Sequence, residues 1–332
     1  MENLPDHDPS IGLIGLGYWG KNILRNLVEL GTLQLACDMD KGVIEERRKT
    51  YQDASFCTSV EDVLKDPGVK AVVIAASAAT HHDLVKQALE AGKDVMVEKP
   101  LSLTAAEGEE LIALAREKDR ILMVGHILQY HPAVIRLKKL VRDGELGKIQ
   151  YIYSNRLNIG KLRTEENILW SFAPHDISTI LSLLGEEPVS VRAFGGDYLS
   201  KGIFDTTLTT LTFRGGVCGH IFVSWLHPYK EQKLIVVGSS AMVVFDDMSD
   251  EKLKLYHHKI TWKDGKIPVA AKKDYEVVEI EKGEPLKMEL QHFQQCVEDR
   301  STPRTDGGEG LRVLKILEAA EKSLKHPSPD SL

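Results

Sequence analysis

The first 125 residues alternate between short apolar runs and amphipathic segments. Ile11–Leu16 is apolar apart from its glycines, which is typical of a strand buried on both faces. The following segment, Trp19–Leu30, has helical spacing, with Ile23, Leu24 and Leu27 on one face. The same alternation continues through this region and predicts a parallel sheet with helices on both faces. Further strands are predicted at Leu33–Cys37, Val69–Ala76, Asp94–Glu98 and Ile121–Val124, and further helices at Gly42–Thr50, from Ser59, at Thr80–Leu89 and at Ala105–Lys118.

Two of these helices carry a signal for an N-terminal cap. Thr104 is followed three residues later by Glu107, which is the capping-box pattern, and Ser59 with Asp62 is close to it. We therefore expect each of these helices to begin directly after its hydroxyl residue.

The pattern changes after about residue 126, where β-rich segments follow one another and few helices intervene. Phe213–Val217 contains a Gly-Gly pair and predicts a hairpin. One helix near Pro174–Leu184 interrupts the strands, and the end of the chain is helical at Pro285–Glu298 and Gly308–Leu324. The predicted strands are Gln150–Asn158, Val189–Phe194, Thr206–Phe213, Val217–Trp225, Lys233–Val237, Met242–Phe245 and Lys252–His257, preceded by a helix at Ala133–Arg142.

These patterns predict an α/β protein of two domains. Residues 1–125 are expected to form a doubly wound parallel sheet, and residues 126–332 an α+β domain with an open, mostly antiparallel sheet for substrate binding and oligomerisation. The length of 332 residues agrees with two domains, because single cores stop growing near about 250–300 residues. The C-terminal helices are placed so that they can pack back on the first domain.

Composition and charge exclude several classes of protein. With 42% apolar and 27% charged residues, the chain is neither a disordered protein, a collagen nor a coiled coil. A net charge of −7 offers no basic footprint for nucleic acid, and the longest uncharged apolar stretch, Ala71–Ala79, is far short of the ~20 residues of a membrane helix. No secretory signal is evident and the four cysteines are widely spaced, so we expect reduced thiols and a cytoplasmic protein.

The first chemical signal is the glycine spacing G-x-G-x-x-G between a predicted strand and a predicted helix. Gly15 permits the tight turn, Gly17 allows a pyrophosphate to approach the backbone, and Gly20 lets the helix lie against the strand. Asp38 ends the second strand, where a carboxylate accepts hydrogen bonds from ribose hydroxyls and repels a 2′-phosphate. Because Met39 rather than Arg follows, we predict a Rossmann domain that binds NAD rather than NADP. The alternative is a glycine-rich turn beside a surface aspartate.

Two further signals carry proton-transfer chemistry. Lys99 stands in Glu98-Lys99-Pro100, at the carboxyl edge of the predicted parallel sheet, where ligands bind. His175 precedes the lone helix of the β-rich half, and histidine is suited to proton transfer near neutral pH. Taken alone, each has an ordinary alternative: a solvated loop lysine and a histidine hydrogen-bonded at a helix start.

Together these residues resemble the Gfo/Idh/MocA oxidoreductases over essentially the whole chain, and Glu98-Lys99-Pro100 is the most specific part of the resemblance. The resemblance implies NAD as the cofactor, sugars, cyclitols or nucleotide sugars as substrates, and Lys99 with His175 as the catalytic pair. Many cyclitol-type members carry Asp four residues before the late His, where this chain has Ser171. The expected cofactor-binding residues are Gly15, Gly17, Tyr18, Trp19, Gly20, Asp38, Ser77, Thr80, His81, Glu98, Lys99, His126 and Gln129.

Within the family, the segment from Asn155 to Asp176 and the run Thr302–Gly310 are similar to nucleotide-sugar 3-dehydrogenases. This implies NAD-dependent oxidation of UDP-N-acetylglucosamine at C3, for amino-sugar biosynthesis in lipid A or surface polysaccharide, with the uronate form as the near alternative substrate. A diphosphate needs cations, and Tyr153, Tyr229 or Trp225 could hold uracil or a sugar face; the alternative is ordinary surface cations and hairpin aromatics. The expected substrate-binding residues are Lys99, Arg156, Lys161, Arg163, Trp170, His175, Tyr229 and Lys230, and no metal is expected.

Three interpretations of function remain open from the sequence. The chain is a nucleotide-sugar dehydrogenase, a cyclitol or free-sugar dehydrogenase, or a non-catalytic NAD-binding sensor that regulates a partner. His175 is assigned as the base and Lys99 as its electrostatic partner, with the opposite assignment as the alternative. Family members are commonly dimers or tetramers, and the alternation in Thr206–Phe213 suits a half-covered sheet, so we expect a homotetramer, with a dimer as the alternative.

Overall fold

The computed structural model describes residues 10–160, 162–164 and 166–326. These residues form two compact units. One unit comprises the described residues up to Ile127 together with Glu284–Leu314, and the other comprises Leu128–Gly283 together with the described residues from Lys315 onward.

The first unit is built on a six-stranded parallel sheet, in the order β3-β2-β1-β4-β5-β6. The alternating pattern of its sequence therefore folds as predicted, into a doubly wound sheet with the strand order of a Rossmann fold. Its elements are β1 (Ile11–Ile14), α1 (Gly20–Glu29), β2 (Leu33–Cys37), α2 (Lys41–Thr50), β3 (Phe56–Cys57), α3 (Val60–Lys65), β4 (Ala71–Ile74), α4 (His81–Glu90), β5 (Asp94–Glu98), α5 (Ala105–Glu117) and β6 (Leu122–Gly125).

Helix caps in this unit follow the sequence only in part. The capping box at Thr104 is confirmed, because its side chain accepts from the Glu107 N–H while the Glu107 carboxylate accepts from the Thr104 N–H. Helix α3 begins after Ser59 as predicted, but the Ser59 side chain makes no capping hydrogen bond, so the predicted box is wrong there.

The second unit contains an eight-stranded mixed sheet, in the order β16-β13-β12-β11-β7-β10-β9-β8. Its neighbouring strands are antiparallel except for the parallel pair β7 and β10, so the prediction of a mostly antiparallel sheet is confirmed. The remaining elements of the chain are α6 (Pro132–Arg142), β7 (Ile149–Ile159), α7 (Ile168–Leu184), β8 (Ser190–Gly196), β9 (Thr206–Thr212), β10 (Cys218–Ser224), β11 (Leu226–Gly238), β12 (Met242–Asp246), β13 (Leu253–Tyr256), β14 (Lys259–Lys263), β15 (Ile267–Ala271), β16 (Tyr275–Val277), α8 (Pro285–Asp299) and α9 (Gly307–Lys325).

One face of the eight-stranded sheet is covered by helices of its own unit. Helix α7 packs against β7, β9 and β10, and α6 packs against β12. The opposite face carries a row of register partners, Phe194, Leu208 and Phe222, from three neighbouring strands. Phe194 and Leu208 are exposed and Phe222 is half-buried, so this face remains partly apolar and accessible.

The structure corrects the sequence prediction at two places in the second unit. Helix α7 begins at Ile168 rather than near Pro174, because Asn167 caps it and the proline is accommodated inside the helix. The hairpin of β14 and β15 and the strand β16 were not predicted. By contrast, the Gly-Gly turn at Phe213–Val217 is confirmed, with a Phe213 N–H to Val217 C=O hydrogen bond of 2.9 Å.

The C-terminal run Thr302–Gly310 extends the edge of the Rossmann sheet. The Val124 N–H donates to the Thr305 carbonyl at 2.8 Å, and the Thr305 hydroxyl donates back to the Val124 carbonyl at 2.7 Å. A Cβ on Gly310 would lie 2.6 Å from the Val124 side chain, so the glycine allows this close approach. Among the helices of the described residues, none is long and apolar enough to span a membrane.

Candidate active site

The glycine turn after β1 has the geometry that a dinucleotide requires. Gly15 adopts a φ of 95°, and a Cβ there would lie 2.6 Å from the Ala75 carbonyl oxygen. A Cβ on Gly20 would lie 2.0 Å from the Gly15 carbonyl oxygen, so the start of α1 sits directly against the turn. Gly17, by contrast, has nothing within 4 Å of its Cβ position. The backbone is therefore open where a pyrophosphate approaches the N-terminus of a helix.

Asp38 lies at the end of β2 and binds the same turn. Its Oδ2 accepts a hydrogen bond from the Leu16 N–H at 2.7 Å, and its Oδ1 accepts from the Asp40 N–H at 2.9 Å. The Arg47 guanidinium also reaches this turn, donating to the Leu16 carbonyl at 3.4 Å. The carboxylate expected to bind the adenosine ribose is thus held in place by backbone N–H groups, with a cation beside it.

Trp19 and Glu98 connect the glycine turn to the far edge of the sheet. The Trp19 indole N–H donates to Glu98 Oε1 at 2.5 Å, and the Lys99 backbone N–H donates to Glu98 Oε2 at 3.3 Å. Gly125 is the register partner of Glu98 on β6, and a Cβ there would lie 3.1 Å from the Glu98 carboxyl group. Glycine at this position therefore leaves room for the buried end of the Glu98 side chain.

Lys99 is half-buried, and its peptide bond to Pro100 is cis. His81 supports this segment, because its Nδ1 lies 2.7 Å from the Pro100 carbonyl oxygen and its Nε2 lies 3.3 Å from that of Ala76. Burial lowers the pKa of His81, which favours the neutral ring. A neutral ring has one N–H, and with that proton on Nδ1 it donates to the Pro100 carbonyl, so His81 holds the loop after β5 in place.

Four other predicted cofactor residues have distinct settings. Ser77 and Thr80 are exposed in the loop after β4, and Tyr18 is exposed beside Lys21. His126 is buried, and its Nδ1 contacts the Glu309 carboxylate. Glu309 lies in the C-terminal run that follows the sheet edge, and its role with His126 was not foreseen from the sequence.

Gln129 belongs to the second unit, and its amide is used there. The Gln129 NH₂ group donates to the Ser178 hydroxyl at 2.7 Å, while its oxygen accepts from Lys138 Nζ at 2.7 Å. The side chain is almost fully buried. The cofactor role of Gln129 stays a prediction, and these two bonds fix its amide within its own unit.

His175 is half-buried on α7, two turns after the helix begins. One turn before it, the buried Ser171 hydroxyl donates to Glu166 Oε1 at 3.2 Å, and that oxygen lies 3.5 Å from Arg163 Nε. The sequence shows only that Ser171 stands where many cyclitol-type members carry aspartate. The structure brings the Glu166 carboxylate to the same helical turn.

Several predicted substrate residues are parts of the scaffold of the second unit. Arg156 is largely buried and forms an ion pair with Asp176, with Nε 2.8 Å from Oδ2. Trp170 is buried, and Trp225 is fully buried with its indole N–H donating to Asp205 Oδ1 at 2.6 Å. The substrate roles of Arg156, Trp170 and Trp225 stay predictions, and Arg156 and Trp225 already have partners within the scaffold.

Three other predicted substrate residues are exposed on or just after strands that pair at one end of the eight-stranded sheet. Ile159, at the end of β7, is the register partner of Leu226, at the start of β11. Arg163 follows the first strand by a few residues, and Tyr229 and Lys230 lie on the second, all three exposed. Lys161 lies outside the described residues. Within residues 10–160, 162–164 and 166–326, no cluster of three His, Cys, Asp or Glu side chains is placed to hold a metal ion.

Comparison with family models decides the class of the protein. Residues 10–126 match the oxidoreductase family model with an NAD-binding Rossmann fold, and residues 134–244 match the Gfo/Idh/MocA C-terminal domain. The chain belongs to the Gfo/Idh/MocA family of oxidoreductases. It is an NAD-dependent dehydrogenase, and the glycine turn, Asp38 and the Trp19–Glu98 bond are the features of its own structure that fit the cofactor.

Relatives with different substrates are similarly distant from this chain. It is 27% identical to scyllo-inositol 2-dehydrogenase (NAD⁺) of Bacillus subtilis, over 98% of this chain and 97% of the relative. It is 26% identical to UDP-N-acetylglucosamine 3-dehydrogenase of Acidithiobacillus ferrooxidans, over 91% and 93%. A solved structure of UDP-N-acetylglucosamine 3-dehydrogenase from that organism superposes with a TM-score of 0.84 at 25% identity, covering 95% of this chain and 97% of that one.

Proposed function

We propose that this dehydrogenase oxidises the C3 hydroxyl of UDP-N-acetylglucosamine, giving the 3-oxo nucleotide sugar for amino-sugar biosynthesis in lipid A or surface polysaccharide. The observation that carries the proposal is the exposed group at one end of the second unit's sheet. There Arg163 and Lys230 offer cations, and Tyr229 offers an aromatic face that is 60% exposed. A diphosphate needs cations, and a uracil base stacks on an aromatic ring. The full-length likeness to UDP-N-acetylglucosamine 3-dehydrogenase supports the same substrate.

The catalytic roles are assigned to Lys99 and His175. NAD, when bound, supplies the acceptor for the hydride that leaves C3. His175 takes the proton of the C3 hydroxyl, and the Lys99 ammonium group stabilises the negative charge that develops on that oxygen. In the reverse assignment Lys99 is the base. The same proton and the same hydride are transferred, but the pH dependence of turnover differs.

A second candidate is a cyclitol dehydrogenase, and one contact favours it. The Glu166 carboxylate bonded to Ser171 supplies an acid at the turn where many cyclitol-type members carry aspartate. The identity to scyllo-inositol 2-dehydrogenase is also as high as that to the nucleotide-sugar enzyme. In this account the exposed cations at the end of the sheet have no phosphate to bind.

Binding of uridine diphosphate itself separates these candidates. We expect UDP to raise the melting temperature of the NAD-bound protein and to compete with substrate, whereas inositols leave it unchanged. Lys230→Ala should weaken UDP binding by about tenfold, the loss of one charge-assisted contact. Lys201→Ala, an exposed lysine in the turn before β9, is the matched control. A shift with scyllo-inositol and none with UDP would support the cyclitol candidate.

Association is a separate part of the proposal. The row of Phe194, Leu208 and Phe222 lies across three strands on the sheet face that the helices of its own unit leave open. Burying such a row stabilises a complex by roughly 25 cal/mol per Å² of apolar surface, so we propose that a second copy of the chain covers it, within a homotetramer or a dimer. Sedimentation of Leu208→Glu, which places a charge in the row, should show smaller particles than the wild type.

A further inference from the structure

The carboxylate of Glu309, in the first turn of α9, lies against a histidine of the Rossmann sheet. His126 Nδ1 contacts Glu309 Oε2, although the two residues are 183 positions apart in the chain. The side chain of His126 is 2% exposed and that of Glu309 is 11% exposed. Because a carboxylate can only accept a hydrogen bond, the ring carries its proton on Nδ1 in this contact.

The start of α9 is fixed to the edge strand β6, and this sets the position of the carboxylate. Just before the helix, Thr305 and Val124 exchange two hydrogen bonds, of 2.8 and 2.7 Å. In the first turn of the helix, the Glu309 N–H donates to Asp306 Oδ1 at 2.8 Å. Residues Glu284–Leu314 belong to the first unit, so the contact with His126 lies within the NAD-binding unit.

His126 lies at the edge of the sheet where ligands bind. It directly follows β6, and Gly125 before it is the register partner of Glu98 on β5, so Lys99 and His126 are the next residues of two neighbouring strands. The other ring nitrogen of His126, Nε2, accepts or donates no hydrogen bond among the described residues. Buried polar groups are nearly always hydrogen-bonded, so Nε2 is the ring atom available to a ligand.

The strand order assigns His126 to the nicotinamide half of the cofactor. A doubly wound sheet of this order consists of two halves, each of which binds one nucleotide of a dinucleotide. Asp38 follows β2 in the half that binds adenosine, whereas His126 follows β6 in the other half. The carboxamide and ribose of the nicotinamide half carry N–H and O–H donors, and a neutral imidazole with its proton on Nδ1 accepts at Nε2.

We propose that Glu309 is a positioning residue of the NAD site, which holds the His126 proton on Nδ1 so that Nε2 accepts a hydrogen bond from the nicotinamide half of the cofactor. Glu309 acts through the histidine and does not itself contact the cofactor. The inference concerns NAD binding and is independent of which sugar is oxidised.

A purely structural role for Glu309 makes a different prediction. If the carboxylate served only to attach α9 to β6, its removal would disturb the whole unit and weaken binding of both halves of the cofactor. A positioning role confines the loss to the nicotinamide half. ADP is the probe that separates the two roles, because it carries the adenosine and the pyrophosphate but neither the nicotinamide nor its ribose.

Calorimetric titration of the full chain with NAD and with ADP measures both halves. We expect Glu309→Ala to raise the dissociation constant of NAD about tenfold, the loss of one charge-assisted hydrogen bond, and to leave that of ADP unchanged. Glu309→Gln keeps an oxygen that accepts from Nδ1, so its NAD affinity should lie closer to the wild type. Asp83→Ala, which removes an exposed acid in the first turn of α4 that lies 3.0 Å from His82 Nδ1, is the matched control and should bind NAD normally.

A double-mutant cycle shows whether Glu309 acts through His126. His126→Leu keeps much of the bulk of the ring and removes both nitrogens, and we expect it alone to weaken NAD binding about tenfold. The double variant should also lose about tenfold rather than a hundredfold, because Glu309 then has no ring to position. A hundredfold loss in the double variant, an equal loss of ADP and NAD affinity in Glu309→Ala, or unchanged NAD affinity in Glu309→Ala would overturn the proposal. No sugar is present in these titrations, so a failure here is distinct from a failure of the proposed substrate.

Discussion

The Asp38 carboxylate accepts a hydrogen bond from the Leu16 N–H at 2.7 Å, so the residue expected to bind the ribose also fixes the glycine turn. The Arg47 guanidinium donates to the carbonyl of the same leucine. The Arg47 guanidinium, a group that binds phosphates, is therefore already at the turn. The negative charge of Asp38 would repel the 2′-phosphate of NADP there.

Replacing Asp38 by Ser should move the cofactor preference toward NADP. The change removes the repulsion and leaves Arg47 in place, so we expect the ratio of NADP to NAD affinity to rise by about 10²-fold, or ~3 kcal/mol. Calorimetric titration with both cofactors measures the ratio. Adding Arg47→Ala in the same background should reverse most of the gain; an unchanged ratio in the single variant would exclude Asp38 as the selecting residue.

Trp19→Phe should weaken NAD binding. The phenyl ring keeps the packing but removes the N–H that donates to Glu98 at 2.5 Å, leaving an acceptor without its donor. We expect the dissociation constant to rise about tenfold, measured by calorimetry. Trp262→Phe, on the exposed hairpin of the other unit, should have no effect. Equal affinity in wild type and Trp19→Phe would show that the bond does not order the site.

Lys99→Ala should separate binding from chemistry. NAD affinity should change less than about threefold, while kcat should fall by about 10²–10⁴-fold, the usual range for loss of a proton-transfer or charge-stabilising group. Lys86→Ala, which removes a half-buried lysine paired with Glu110 on the same unit, is the control. A variant that keeps most of its turnover would end the assignment of Lys99.

Acid should destabilise the second unit through Asp247. The His131 N–H at Nε2, 3.3 Å away, lowers the pKa of this carboxyl to about 2, because His131 Nδ1 accepts from the Ala133 N–H and leaves Nε2 as the donor. The pKa is lowered in the folded state, so the stabilisation is present above pH ~3.9 and is lost as pH falls toward 2, amounting to on the order of 2 kcal/mol. The difference in unfolding free energy between wild type and Asp247→Asn should shrink as pH falls over that window. Asp250→Asn, at an exposed position, is the control, and its unfolding free energy should stay close to that of the wild type across the same window.

The Rossmann unit was predictable because its strands are buried on both faces. Asp94–Glu98 agrees at both ends with β5, and the Thr104 cap starts α5 as expected. A strand buried on both faces is a continuous apolar run, and a helix cap is set by residues close together in sequence. Both patterns can therefore be recognised from one sequence without an alignment. The hairpin of β14 and β15 is exposed throughout its described side chains and leaves no such pattern.

The composition of the candidate site was less predictable, because it depends on contacts distant in sequence. Arg156 has the chemistry of a phosphate ligand, and only the fold shows that Asp176 already binds it. From the sequence, Glu289 is a polar position of an amphipathic helix; its complete burial arises because α8 packs within the first unit, against α1. Glu166 is near Ser171 in sequence, but it lies before the start of α7, and the i,i+4 spacing of helical contacts does not predict their hydrogen bond.

A single-turnover experiment with UDP-N-acetylglucosamine deuterated at C3 tests the central claim most directly. With enzyme in excess of NAD, we predict a rise in absorbance at 340 nm, a slower rise with the deuterated than with the ordinary sugar, and deuterium in the reduced cofactor. Reduction of NAD by scyllo-inositol but not by UDP-N-acetylglucosamine, or reduced cofactor free of deuterium, would contradict it.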